Sequence, residues 1–324
     1  MQLKFTVCWL YILVIAVVIW CLTNTSTIRD WYILATYNPP YSIQDLANKD
    51  TMTPYARKLF YVNEPKLESK SNFTKNCPNV SSQAYVVGCY HTGDQGIFIL
   101  NVKNFSLKGI VQVTAAYEML HAVYARLNKV ERSKIDSEMW SFYKNHVNSK
   151  QINSQMTSYA ATEPDEQTDE LFSVLGTEVS NLPPILVAQY KLYFRNRSKI
   201  VAMYNDYQAS FTSRLAQIKS DDNILSSLKD QIQGTDNQIS SLLRLINTAS
   251  KSLDNEKSSG NYTAYNFGVP KFNSMVNKYN SLVTLVSTEI SRYNNLVSDR
   301  NSLALQEHQL AKAITSIPNH KLPK

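Results

Sequence analysis

Glu118 and His121 lie three residues apart in Val113-Thr114-Ala115-Ala116-Tyr117-Glu118-Met119-Leu120-His121-Ala122-Val123-Tyr124, the stretch whose residue types most directly suggest chemistry. In the pattern H-E-x-x-H, two histidines one helical turn apart hold a zinc ion from one side of a helix. The glutamate between them polarises the metal-bound water. Here the first histidine position is Tyr117. A phenol is a poor metal ligand at neutral pH, because its ordinary pKa is about 10. The segment therefore predicts a helix with Glu118 as general base, His121 as a metal ligand and Tyr117 as a weak one. The plainer readings are an ordinary helix histidine and a surface glutamate. The apolar surroundings weigh against the second, since an unpaired buried carboxylate is costly.

A third ligand is sought on another helix. Glu170, in Asp169-Glu170-Leu171-Phe172-Ser173, resembles the [N/D]-E-x-x-S element of gluzincins, in which the glutamate completes the zinc site. The acidic run Glu163-Pro164-Asp165-Glu166 before it also allows Glu170 to be a plain acid at a helix start. Glu178 is a candidate partner behind the ligands. His91 could replace the missing histidine in principle, though its spacing gives no support. His121 and Glu170 alone fall short of the three protein ligands of a catalytic zinc.

Five regions arrange these residues. Residues 1–23 predict a transmembrane signal anchor, 24–40 a connector and 41–198 a zincin-like, metallopeptidase-related domain; 199–317 predict a helical hairpin or coiled coil and 318–324 a tail. Within the second and third of these, Asn38-Pro39-Pro40 marks a linker, and Thr53-Pro54 is a good helix start. Leu59 to Val62 is a short strand candidate. Tyr85 to Tyr90 and Gly96 to Val102 are stronger ones, joined by a turn over residues 92–96. The helix bearing Tyr117 follows Gly109, and Ser133 is a candidate cap for the next. From Ile200, apolar residues recur at steps of three, four or seven through Leu228, Leu242 and Leu253. This is a coiled-coil seam in which Arg214, Asp221 and Thr235 are polar members. Ser258 to Asn261 and Gly268 to Pro270 break it, and a second seam runs from Phe272 to Leu310. The expectation is an antiparallel hairpin turning near Gly260–Pro270.

Phe5 to Leu22 is apolar and uncharged, close to the roughly 20 residues that span a bilayer. It lacks the small residues of a cleavage site, which favours an uncleaved anchor. Lys4 favours the short end inside, and Arg29 opposes that slightly. The rest would then lie outside the cytoplasm, on a single-pass protein of the cell membrane. Cys77 and Cys89 fall in that exported part, where a disulfide between them can persist. No C-x-x-C accompanies them, so metal binding is the weaker reading. The formal charge of +7 suits attraction to anionic surfaces, or simply solvated helices. No Lys/Arg-rich run or nucleic-acid motif is present, which argues against a nucleic-acid partner.

Several stretches taken together resemble a family of membrane-anchored bacterial proteins without an assigned substrate. They are Leu46 to Thr53, Phe60 to Asn63, Asn76 to Asn79, Gly88 to His91, Gly96 to Phe98, Val113 to Ala122, Asp169 to Glu178 and Tyr193 to Arg197. Members usually carry a complete A-A-H-E-M-L-H-A, and the family is similar to zinc-dependent, gluzincin-like metallopeptidases. The resemblance implies an α+β architecture: an N-terminal transmembrane helix, a small zincin-like α/β domain and a long C-terminal antiparallel coiled-coil hairpin. It also implies Zn2+ as cofactor and a peptide or protein as substrate. The function expected is that of a membrane-anchored, extracytoplasmic zinc metallopeptidase-like protein whose motif reads YExxH. The alternative is a non-catalytic cell-envelope scaffold or adhesion protein that recruits a partner through its coiled coil.

Overall fold

The computed structural model describes residues 15–78, 87–92, 96–162 and 164–314. They divide into two compact units: one comprises the described residues up to 210 together with 310–314, the other 211–309.

The first unit is built mainly of helices. In chain order its elements are α1 (Thr25–Thr36), α2 (Tyr41–Lys49), α3 (Pro54–Tyr61), β1 (Lys66–Glu68), α4 (Lys70–Asn76), β2 (Gly88–His91) and β3 (Gly96–Leu100). These are followed by α5 (Ile110–Tyr124), α6 (Lys129–His146), α7 (Lys150–Thr162), α8 (Gln167–Thr177) and α9 (Pro184–Lys191). Local chemistry explains many starts. Thr53 caps α3 by accepting from the Ala56 N–H, with Pro54 at the first helical position. Asn128 and Glu131 form a capping box on α6, so that helix starts before Ser133. The single sheet has the order β1-β3-β2. β1 runs parallel to β3, with Leu67 opposite Ile99, and β2 runs antiparallel, with Cys89 opposite Phe98. Every residue of β3 is buried.

α5 is the centre of this unit. It packs on α8, β2, β3, α2 and α3. Its buried residues include Ile110, Val113, Ala116, Met119, Leu120 and Val123, which lie on all its sides. Such a helix is held by tertiary burial rather than by an amphipathic stripe.

The expected α+β balance is not what the chain adopts. The described residues are overwhelmingly helical, with one small three-stranded sheet. Leu59 to Val62, expected as a strand, falls at the end of α3, where Ala56, Leu59 and Phe60 are buried at helical spacing. The strand expected at Tyr85 to Tyr90 is confined to Gly88–His91, and residues 79–86 and 93–95 lie outside the described part.

The membrane expectations are also corrected. Among the described residues no helix is long and apolar enough to cross a membrane. Of Phe5 to Leu22, residues 5–14 lie outside the described part and the rest is helical, and α1, which follows, carries Arg29 and Asp30. The transmembrane helix, the signal anchor and the single-pass, extracytoplasmic placement therefore find no support.

The second unit is a helical hairpin, as expected. Its helices belong to α10 (Arg197–Ser258) and α11 (Tyr262–Ile314). Arg300 Nε donates to Asp222 Oδ1 at 2.9 Å, and a β-carbon at Gly268 would come within 2.8 Å of Leu253 Cδ2. Each pair joins residues at nearly the same distance from the loop, so the helices run antiparallel. Asp221, Leu228, Thr235 and Leu242 are buried at steps of seven, which is the seam read from the sequence. The turn is tighter than expected. Gly260 takes the left-handed conformation at φ 75°, and Asn261 N donates to Glu256 O. Pro270 lies inside α11 rather than in the loop.

Candidate functional site

Tyr117, Glu118 and His121 sit on α5, and Asp169 and Glu170 in the first turn of α8. Hydrogen bonds from two side chains, Ser173 and Arg197, fasten these elements. Ser173 Oγ donates to Tyr117 O at 3.3 Å, linking α8 to α5. Arg197 donates to the Leu175, Val179 and Ser180 carbonyls, satisfying acceptors at the end of α8 that no helical N–H reaches. So the serine of the D-E-x-x-S element and the arginine of Tyr193 to Arg197 are both braces for the helix that carries Glu170.

The structure brings Tyr117, His121 and Glu170 together. His121 Nδ1 lies 2.9 Å from Asp169 Oδ1, and His121 Nε2 lies 3.7 Å from Glu170 Oε1. The Asp169 contact orients the ring as carboxylates orient metal-bound histidines, and it aims Nε2 at Glu170. The Tyr117 ring packs edge-on against His121, with centroids 5.1 Å apart. Its hydroxyl donates a short hydrogen bond to Glu170 Oε2 and lies 3.4 Å from the Tyr159 hydroxyl.

Electrostatics follow from burial of so many acids around one ring. Burial, with the Glu170 carboxylate, pushes the Tyr117 phenol well above its ordinary pKa. Burial raises the Glu118 carboxyl to about 8; His121 opposes the rise, and Glu170 and Asp169 add to it. Burial disfavours a charged His121, but Asp169, Glu170 and Glu118 together outweigh it and lift the imidazole to about 10. Tyr117 thus keeps its proton and shares it in a hydrogen bond with Glu170, and the acids around His121 favour its charged form.

This arrangement does not fit a catalytic zinc. His121 Nε2 and Glu170 Oε1 are separated as two ligands of one ion would be, since two bonds of ~2.1 Å at a tetrahedral angle place their atoms roughly 3.4 Å apart. The third position is a phenol that stays protonated and binds Glu170 instead. Glu118 is also covered. A β-carbon at Gly88 of β2 would collide with Glu118 Oε1 and Thr114 Cγ2, so the strand backbone rests directly on the carboxylate.

The remaining candidates lie elsewhere. Glu178 ends α8 and is hydrogen-bonded by Tyr204 and Gln155, so it touches the site only through longer-range charge. His91 is on β2, with Nε2 2.9 Å from Asn76 O and 3.4 Å from Cys89 Sγ, and has no place among the α5 residues. Cys77 and Cys89 form the expected disulfide. Two contributors were missed. Asp169 was visible as the first residue of D-E-x-x-S, and its role follows from adjacency to Glu170. Tyr159 has no sequence signal.

No family model, no curated protein and no solved structure matches the chain.

Proposed function

We propose that this chain is a metallopeptidase-like protein whose site has lost catalysis, and that it acts by binding another protein through its helical hairpin. The observation that carries this reading is the Tyr117 hydroxyl donating to Glu170 Oε2, which keeps a protonated phenol at the position a third ligand would take. The binding half rests on the hairpin. Leu215, Leu243, Leu245, Leu285 and Leu305 remain exposed along residues 211–309 beside a seam with polar members. Large apolar side chains left in water in this way suit a helical partner.

The experiment is metal analysis of the full-length protein after equilibration with micromolar zinc, alongside hydrolysis of an unstructured protein substrate. The expectation is well below one zinc per chain at the α5–α8 site and no zinc-dependent cleavage. Chelator-sensitive cleavage that disappears in Glu118→Gln would show an active peptidase and overturn the proposal.

A further inference from the structure

The strongest unassigned cluster lies outside α5 and α8. Among the described residues, Cys77, Cys89 and His91 bring one ligand atom each to within 4.8 Å of one another. Cys89 and His91 are two apart on β2, so their side chains leave the same face of the strand. Cys77 is the residue that ends α4, held by its N–H to Phe73 O at 2.8 Å. The His91 ring is steadied edge-on against Phe98 at 5.9 Å. Cys77 belongs to a small apolar cluster with Phe73, Phe98 and Leu100, and Cys89 packs against it. Among the described residues Cys77 is buried, whereas Cys89 and His91 are half-buried.

We propose that Cys77, Cys89 and His91 are a reduction-gated site for a thiophilic divalent cation such as zinc. Oxidised, the two sulfurs are bonded to each other and the site is closed. Reduced, they become two thiolate ligands beside an imidazole.

The geometry suits this. Bonds of ~2.3 Å to sulfur and ~2.0 Å to nitrogen at a tetrahedral angle separate the two ligand atoms by roughly 3.5 Å. His91 Nε2 and Cys89 Sγ are 3.4 Å apart. A water or another small donor would be needed in the fourth position. Soft sulfur with imidazole selects zinc-like ions over magnesium or calcium.

The chemistry balances with a dithiol as reductant. The Cys77–Cys89 bond takes two electrons and two protons, and the dithiol becomes its own disulfide. The metal then displaces both thiol protons to solvent. His91 now has its Nε2 against Asn76 O, an acceptor, so that nitrogen carries the ring proton. On metal binding the proton moves through water to Nδ1, and the Nε2 lone pair goes to the ion.

The test uses the full-length chain with Cys8→Ser and Cys21→Ser, so that Cys77 and Cys89 are its only sulfurs of this type. It is reduced with dithiothreitol, freed of reductant under inert gas and titrated with cobalt(II), whose thiolate charge-transfer absorption reports sulfur ligation. The reduced protein should take one equivalent with that absorption, and the oxidised protein none. Zinc should displace the cobalt. His91→Ala should weaken binding about tenfold or more, through loss of one first ligand. The α5–α8 site contains no sulfur, so this readout is blind to it. A reduced protein without charge-transfer absorption, or a His91→Ala variant that binds as tightly as its parent, would overturn the proposal. A second measurement needs no ligand variant. Bound zinc should slow re-formation of the disulfide by oxidised glutathione, and equal rates with and without zinc would count equally against it.

Discussion

α5 and the stretch of α10 in the second unit are both helices with polar residues at buried positions, yet they treat those residues oppositely. On α5, burial runs round the whole helix, and Glu118 and His121 are enclosed with Tyr117, Asp169 and Glu170. Each group there must share protons with the others. Along the hairpin, burial is a single stripe, and Asp221 and Thr235 interrupt it while their flanks stay in water. Gln217 donates to Asp221 at 2.8 Å from one turn away, which satisfies that acid locally. An imidazole packed among several acids is strongly coupled to them, whereas a single buried acid met by one neighbouring amide is satisfied locally.

If that contrast is right, perturbations should shrink in the order in which enclosure falls. The largest effect is expected from Tyr117→His. It supplies a neutral imidazole one turn before His121 and frees Glu170, so zinc affinity should rise by roughly a thousandfold, about 4 kcal/mol. Glu170→Ala in that background should abolish the gain. Calorimetric zinc titration of the three proteins decides it; equal binding throughout would mean that α5 and α8 do not face a common metal position.

Glu178 comes next. Burial lifts it from an ordinary value near 4.5 to about 7. The folded state therefore holds this proton more tightly than the unfolded one. Its contribution is fully present below about pH 4.5 and is lost as pH rises through about 7. The loss is on the order of 3 kcal/mol across that window, at about 1.4 kcal/mol per unit. Glu178→Gln should flatten the fall in stability between those limits. Urea unfolding at several pH values measures this, and an unchanged slope would remove Glu178 as its source.

Gly176→Val tests packing rather than charge. A β-carbon there would collide with Leu120 Cδ1 and lie 2.8 Å from Tyr190 Cε1. Overpacking of this kind costs about 1–3 kcal/mol, and thermal unfolding should move down accordingly. A variant as stable as its parent would show that α5 and α8 can separate freely. The smallest effect belongs to the hairpin. Arg300→Ala removes an ion pair with Asp222 in which both side chains are substantially exposed. It should change stability by less than about 1 kcal/mol, because water screens such pairs. A loss several times larger would erase the distinction drawn between the two regions.

How much was readable follows the same division. The hairpin seam was legible because its period is a property of the chain alone, and buried positions at Asp221, Leu228, Thr235 and Leu242 fall on it. Its loop was misplaced. Gly268 and Pro270 read as breakers, but Gly268 lets α11 approach Leu253 closely, and tertiary contact carries the helix through the proline. The meeting of Tyr117, His121 and Glu170 was legible from two motifs with known spacing. The state of the site was not, since protonation depends also on Tyr159 and on a strand lying over Glu118, neither of which the local sequence reveals. β1 was missed because three residues pairing with Phe98, Ile99 and Leu100 carry no periodic signal.

Both ends of the 211–309 segment return to the first unit, where Leu310, Ala311 and Ile314 are buried and Lys70 donates to the Lys312 carbonyl at 3.0 Å. The hairpin is thus an excursion from a chain that closes on itself, and its length is a free variable. Removing seven residues from one arm and seven from the other would keep every seam position opposite its mate. Matched heptads can be added to or taken from the two arms without altering a residue of the enclosed site, so reach can change without touching chemistry.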